Sequence, residues 1–277
     1  MFRKDAGEDI KFVKNIAAKL KVPLLTESID VPGLHKSDGG SKEDLARTIR
    51  YNFFLKAAKK FKVNKIALGH TRDDQAETVL MRLIYGAGIT GLSGIPSTRK
   101  FEKYLIVRPF IDVARNDINL YLKEENVKAR IDATNSDNAY KRNKIRSQLI
   151  PFLEKEFNPN IKEALARTSD LLRDDRDLLE EILLKKTFAD VIRPAGENSV
   201  RLSLKKFDKL HVALQKYVLR ECIRRVNSGL IGIEYRHWRL LVAFIAKRKN
   251  KAAWHLPYGC RVMIKKGSLL FYNEGLK

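Results

Sequence analysis

The stretch from Asn64 to Gly86, "NKIALGHTRDDQAETVLMRLIYG", restricts the fold more than any other part of the chain. "NKIALGH" reads as a short buried strand ending in Gly-His, and the residues after it repeat Ala76, Leu80 and Leu83 at helical spacing. Thr71 stands where a helix cap belongs, and Gly86 where a helix ends. Upstream, Asp5–Leu20 places Ile10, Val13, Ala17 and Leu20 on one helical face, and "VPLLTESIDV" (22–31) reads as a strand. Ser41 and Asp44 then form a capping box for a helix running to about Phe61, with Leu45, Ile49, Phe53 and Ala57 facing inward. This alternation predicts an α/β fold, a parallel sheet flanked by helices.

Past the connector "GAGITGLSGIP", the pattern adds a strand, "YLIVRPF", and a helix over Asp112–Glu125 carrying Ile118 and Leu122. From about Pro151 it changes to long charged helices. The expected division is therefore an α/β domain over 1–152 and a mainly helical, basic domain over 153–277, with a short strand-like piece, "AAWHLPYGCRVMIKKGSLLFY", near the end. The net charge of +22 is uneven. Arg201–Lys277 holds 18 Lys and Arg against four Asp and Glu. Such a segment favours a polyanion, most commonly nucleic acid, over a merely solvated surface. Only Cys222 and Cys260 occur, without CxxC spacing, which disfavours a disulfide framework, a zinc knuckle or an iron–sulfur site. With no long apolar run and no signal-like N-terminus, a cytoplasmic protein without a membrane partner is expected.

Three groups of residues could carry chemistry. His70 ends a strand, the edge where open α/β sheets bind ligands, and Asp74 and Glu77 follow on one face of the next helix. Two carboxylates beside an imidazole could hold Mg²⁺, with Asp74 as a ligand, or a substrate ammonium group; they also read as ordinary first-turn acids. Arg47 and Arg50 lie off the apolar stripe of the preceding helix, where they either aim at phosphate oxygens or are simply solvated. Arg142 and Arg146, one turn apart with Asn143 between, could clamp a phosphate or carboxylate, or form a capped basic helix. Tyr235, Trp238 and Trp254, in the basic segment, read as base-stacking or as packing residues.

Singly these are inconclusive; their order and spacing are not. "FRKDAGEDIKFV", "SKEDLARTIRY", "LGHTRDDQAETVLMRLIYGAGITGLSGIP", "RPF" and "DATNSDNAYKRNKIRSQLIPFLE" together resemble the tRNA(Ile)-lysidine synthetase branch of the PP-loop ATP pyrophosphatase superfamily. The resemblance covers nearly all of residues 2–160. It implies an adenine-nucleotide alpha-hydrolase-like fold and a ligase using ATP and Mg²⁺. Such an enzyme adenylates C2 of the wobble cytidine in an isoleucine tRNA with a CAU anticodon, and L-lysine then displaces AMP to give lysidine. It further implies that Arg50, His70, Asp74, Glu77 and Arg142 line the ATP and lysine pockets, and that the protein is a homodimer.

The family's Ser-Gly-Gly-x-Asp-Ser phosphate loop has no counterpart here, and there is no room for it before Arg3. The resemblance thus implies a chain lacking the first strand and loop, through truncation or a misplaced start. "SDGGSKED" (37–44) is no substitute, because Asp38, Glu43 and Asp44 would repel a phosphate. Two other readings stay open: a catalytically impaired tRNA-binding remnant, and a PP-loop tRNA sulfurtransferase, whose chemistry typically uses cysteines near the active site.

Overall fold

In the computed structural model of this chain, residues 6–31, 33–34, 42–130, 141–227, 233 and 235–273 are described. The chain divides between Arg173 and Asp174 into two compact units, later than the expected change at 152/153.

In the first unit, α1 (Ala6–Lys19) and α2 (Lys42–Lys60) precede β1 (Lys65–Ala67). The helix α3 (Arg72–Ile84), a short turn α4 (Ile89–Leu92) and β2 (Thr98–Phe101) lead to β3 (Tyr104–Val107). β1 and β3 are parallel, with Ile66 opposite Ile106, and β2 adds antiparallel to β3 in the order β1-β3-β2. The sheet is therefore mixed, because "STRKFEKY" folds back as a hairpin that the connector's glycines concealed. A parallel pair needs a crossover, which α3 supplies, and Ile106 is fully buried beneath it all.

The predicted strand at 22–31 is corrected. Val22–Asp30 carries no regular structure and forms no β-ladder among the described residues, with Val22 and Leu24 exposed. β-branched residues favour a strand only where a neighbouring edge accepts them. The predicted Ser41–Asp44 capping box, most of "SDGGSKED" and the segment Asp132–Tyr140 lie outside the described residues.

After α5 (Arg115–Glu124) comes one continuous helical run, α6 (Lys141–Lys144), a π turn at Ile145–Leu149 and α7 (Ile150–Glu156). Within it the Ile150 N–H donates to the Ile145 carbonyl, an i→i−5 bond. Pro151 accounts for this widening, since it has no N–H to offer the turn behind it. Ile145, Ile150 and Leu80 form a small core, joined by Met81, Leu149, Leu153 and, from α8 (Ile161–Leu179), Ile161 and Leu165. That apolar seam lays the 141–156 helix along α3.

The second unit has more helical than strand residues, but it also holds a sheet of which the sequence showed only the final strand-like piece. Its core is built on a five-stranded antiparallel sheet in the order β4-β5-β8-β7-β6. These strands are β4 (Ile192–Gly196), β5 (Ser199–Ser203), β6 (Ala253–His255), β7 (Cys260–Lys265) and β8 (Ser268–Asn273). Leu202, Val262, Leu269 and Phe271 of this sheet are fully buried with Val218, Cys222 and Ile223 of α11 (Val212–Val226) and Leu241 of α12 (Tyr235–Ala246), the helices α9 (Lys185–Val191) and α10 (Leu204–Phe207) completing the core. Trp238 and Trp254 are half-buried against the same core, Trp254 at 5.9 Å from Phe244, so both are packing residues here. Among the described residues no helix is long and apolar enough to cross a membrane.

Candidate functional site

Everything at the site is referred to the start of α3. The Thr71 N–H and hydroxyl both donate to Asp74 Oδ2 at 2.9 Å, and the Asp74 N–H reaches back to Thr71 Oγ1, a complete capping box. At the other end Gly86 adopts φ +74°, with Gly86 N–H donating to Leu83 and Ala87 N–H to Arg82. This is a Schellman termination, so both ends of α3 are set by local sequence. Unusually, the run Asp74–Leu80 is buried on every side, charged residues included. The glycine-rich connector covers one side of it. Gln75 makes two hydrogen bonds to the Ile95 backbone, and Arg82 donates to the Gly91 and Gly94 carbonyls at 2.6 and 2.8 Å. Gly94, at φ +66°, lies so close that a Cβ there would fall 2.5 Å from Gln75 Oε1.

The other side carries the charges. Glu77, whose side chain is 1% exposed, accepts from Arg142 Nε at 2.7 Å and from Arg146 Nε and Nη2 at 2.5 and 3.0 Å. Arg142 Nη2 also reaches Asp74 Oδ1 at 2.9 Å, and Arg115 lies 3.7 Å from Asp74 Oδ2. Asp73 accepts from the Arg115 N–H at 2.7 Å and pairs with Lys162 at 3.3 Å. Burial pushes the Asp74 carboxyl up, but the Thr71 hydrogen bonds with Arg142 and Arg115 outweigh it, leaving a net depression. Arg146 is held above its usual range, first by its hydrogen bond to Glu77.

His70 sits where β1 gives way to α3. Arg108 Nε donates to His70 Nδ1 at 3.3 Å, and Arg108 Nη1 is anchored on the Pro96 carbonyl at 2.6 Å. A ring that accepts at Nδ1 carries its proton on Nε2 when neutral. Burial lowers the His70 pKa; Asp74 opposes this, and Arg108, Arg142 and Arg47 add to it. His70 is therefore a neutral hydrogen-bond donor near pH 7.

The structure thus gathers His70, Asp74, Glu77, Arg142 and Arg146. Asn143 is half-buried beside them, its carbonyl accepting from Ser147 Oγ. Arg47 is within electrostatic reach of His70, Arg82 and Arg108, whereas Arg50 is exposed and takes no part in these interactions. Sequence reasoning passed over Arg108, Arg115 and Lys162. Only "RPF" hinted at the first, and isolated basic residues elsewhere carry no pattern. The arrangement lends no support to Asp74 as a Mg²⁺ ligand. Both its oxygens are taken up by Thr71, Arg142 and Arg115, and no group of three His, Cys, Asp or Glu able to hold a metal occurs among the described residues. A site already surrounded by guanidiniums does not fit a divalent cation.

Residues 1–153 match the PP-loop domain family. The tRNA(Ile)-lysidine synthase of Clostridioides difficile (strain 630) is 36% identical over 270 residues, which cover 98% of this chain and 58% of that protein. That of Geobacillus kaustophilus (strain HTA426) is 34% identical over 279 residues, again 98% and 58%. That of Clostridium acetobutylicum is 38% identical over 232 residues, 84% of this chain and 49% of that protein. The chain spans about half the length of the curated relatives it matches.

Proposed function

Because the chain belongs to the PP-loop family, we propose that it serves the ATP-dependent ligation of lysine to C2 of the wobble cytidine in an isoleucine tRNA with a CAU anticodon. ATP adenylates the C2 oxygen with loss of pyrophosphate; the lysine ε-amino nitrogen then bonds to C2 and AMP leaves. The observation that carries this reading is the similarity to lysidine synthases along 98% of the chain, across the candidate site and beyond it.

The geometry suggests who does what. Asp74, the less enclosed carboxylate at 12% exposure, is placed to share its charge with an incoming ammonium group. Glu77 is sealed behind two arginines and acts as their anchor, a positioning residue. Arg142, more than a third exposed, presents its outer face to a carboxylate or phosphate. The neutral His70 donates from Nε2 to a substrate oxygen. The sulfurtransferase alternative loses support, since both cysteines are fully buried in the second unit and burial pushes Cys260 up to about 12 and Cys222 higher still. A thiol so held is not a nucleophile.

The test is ATP-dependent transfer of labelled lysine into the tRNA transcript, with Asp74→Asn alongside. Incorporation is expected, with the apparent KM for lysine raised about ten-fold in Asp74→Asn through loss of one charged hydrogen bond. A folded chain that binds this tRNA and transfers no lysine sinks the assignment.

A further inference from the structure

We propose that Arg47, Arg99 and Arg108, assembled on the Tyr51 ring, form a phosphate-binding site beside the Asp74–Glu77 ion-pair network. Tyr51 follows Arg47 by one turn of α2, and the Arg47 guanidinium lies 5.1 Å from the Tyr51 ring centre while its Nη2 donates to the phenol oxygen at 3.4 Å. From β2, Arg99 and Phe101 point to one face of the strand, as residues two apart do. Arg99 lies 5.2 Å from the Tyr51 ring and 5.5 Å from Phe101, and Phe101 packs edge-on against Tyr51 at 5.0 Å. Arg108, one residue past β3, lies within electrostatic reach of the Tyr51 hydroxyl and of Arg99 and Arg47. Two guanidiniums thus share one phenol ring, and a third from another segment lies close by.

The cluster brings several guanidiniums together with no carboxylate among them. Arg142 and Arg146 are balanced by Glu77, and Arg224 and Arg225 by Glu221. Among the described residues no carboxylate pairs with Arg47, Arg99 or Arg108. The Arg99 Nε is buried and has no hydrogen-bond partner, a cost that a folded chain seldom carries without an acceptor to come. Burial, followed by Arg99 and Arg47 among the opposing charges, depresses Arg108, the expected mark of like charges held together. An Arg–Tyr stack needs one arginine; two on one ring with a third beside it repel each other until an anion enters. Stacking also fixes the planes of the guanidinium forks beforehand, which suits the several oxygens of a phosphoryl group better than a single carboxylate. That this phosphoryl group belongs to a nucleotide or to RNA rests on the proposed function; the site itself does not.

The experiment measures binding of inorganic pyrophosphate and of the tRNA(Ile) transcript, each by calorimetry, to the unaltered chain and to Arg99→Ala, Arg99→Lys and Lys100→Ala. Lys100 removes a charge from the same strand outside the stack. Arg99→Ala should weaken binding of at least one probe about ten-fold, the loss of one charged hydrogen bond; Arg99→Lys should be weakened less, and Lys100→Ala should bind as the unaltered chain does. Loss confined to pyrophosphate assigns the site to a nucleotide; loss confined to the transcript, with a shallower salt dependence, assigns it to the RNA backbone. Thermal melts of each variant confirm folding. Equal affinities in Arg99→Ala and the unaltered chain, for both probes, overturn the site, as does absence of any binding to the unaltered chain. Lysine transfer separates the two claims: pyrophosphate binding that depends on Arg99 in a chain that transfers no lysine leaves the site standing and removes the function.

Discussion

Glu77 is shared by two arginines, and that sharing predicts strong non-additivity when they are removed. Replacing Arg142 or Arg146 by Met keeps the aliphatic stem in place and deletes only the guanidinium. Either single change leaves Glu77 with one cation and its hydrogen bonds. Because the two arginine side chains are 37% and 27% exposed, each change should cost about 1 kcal/mol, below the usual worth of a buried charged pair. The double variant is different in kind. It leaves a carboxylate that is 1% exposed without any counter-charge, which costs about 4 kcal/mol, so the coupling comes to about 2 kcal/mol beyond the sum of the singles. Adding Glu77→Gln to the double variant removes the stranded charge and should recover part of the loss. Urea unfolding followed by far-UV ellipticity and by hydrogen exchange of the α3 amides reads the first unit. Tryptophan fluorescence does not, since both tryptophans, Trp238 and Trp254, lie in the second. Additivity within about 0.5 kcal/mol would show that Glu77 is not the shared anchor.

Three further outcomes follow from single positions. His70 has its folded pKa lowered, first by burial, so the unfolded chain binds the extra proton and stability falls as pH drops below about 6.5 toward the lowered value; His70→Gln should flatten that stretch of the stability–pH curve, and an unchanged slope refutes the burial. Asp74 is depressed as well, so its contribution is retained above its ordinary value and lost at still lower pH; the Asp74→Asn chain should lack that more acidic limb, seen by the same titration. Gly94→Ala combines φ +66° with a Cβ 2.5 Å from Gln75 Oε1 and should cost about 2 kcal/mol, with faster exchange of the Ile95 amide as the Gln75 hydrogen bonds give way; wild-type exchange there would count against the close approach.

The parts of this molecule that sequence makes readable are those whose causes are local. Thr71 and Gly86 mark both ends of α3 because a cap and a left-handed glycine act within one turn. Asp74 with Glu77, and Arg142 with Arg146, could each be recognised as a one-turn pair, but nothing local says that the pairs face each other. That depends on Leu80, Ile145 and Ile150 meeting across the fold, so acids that looked open to an ammonium group or a metal are largely spoken for. In the second unit, β4 and β5 escaped notice for a related reason. These two strands are five residues long and interrupted by Arg, Ser, Pro and Gly, while the charged helices around them repeat for many turns and dominate any reading by periodicity.

Arg47 and Arg50 show the same limit within a single helix. Both lie off the apolar stripe, and spacing alone favours neither; the difference is Tyr51, one turn beyond Arg47, which holds that guanidinium against its ring. Arg99 and Phe101 complete the arrangement from a hairpin that the glycine-rich connector hid. A site made this way has no motif, because each of its cations comes from a different segment and their spacing is set by the Tyr51 ring and, for Arg108, by His70 and the Pro96 carbonyl. Guanidiniums gathered from separate segments with no carboxylate among them are the signature left to search for, and it becomes visible only in the folded chain. The Tyr51 cluster is recognised by its shared ring and the unpartnered Arg99 Nε, and its expected dependence on Arg99 but not on the adjacent Lys100 separates a built anion site from the general excess of positive charge.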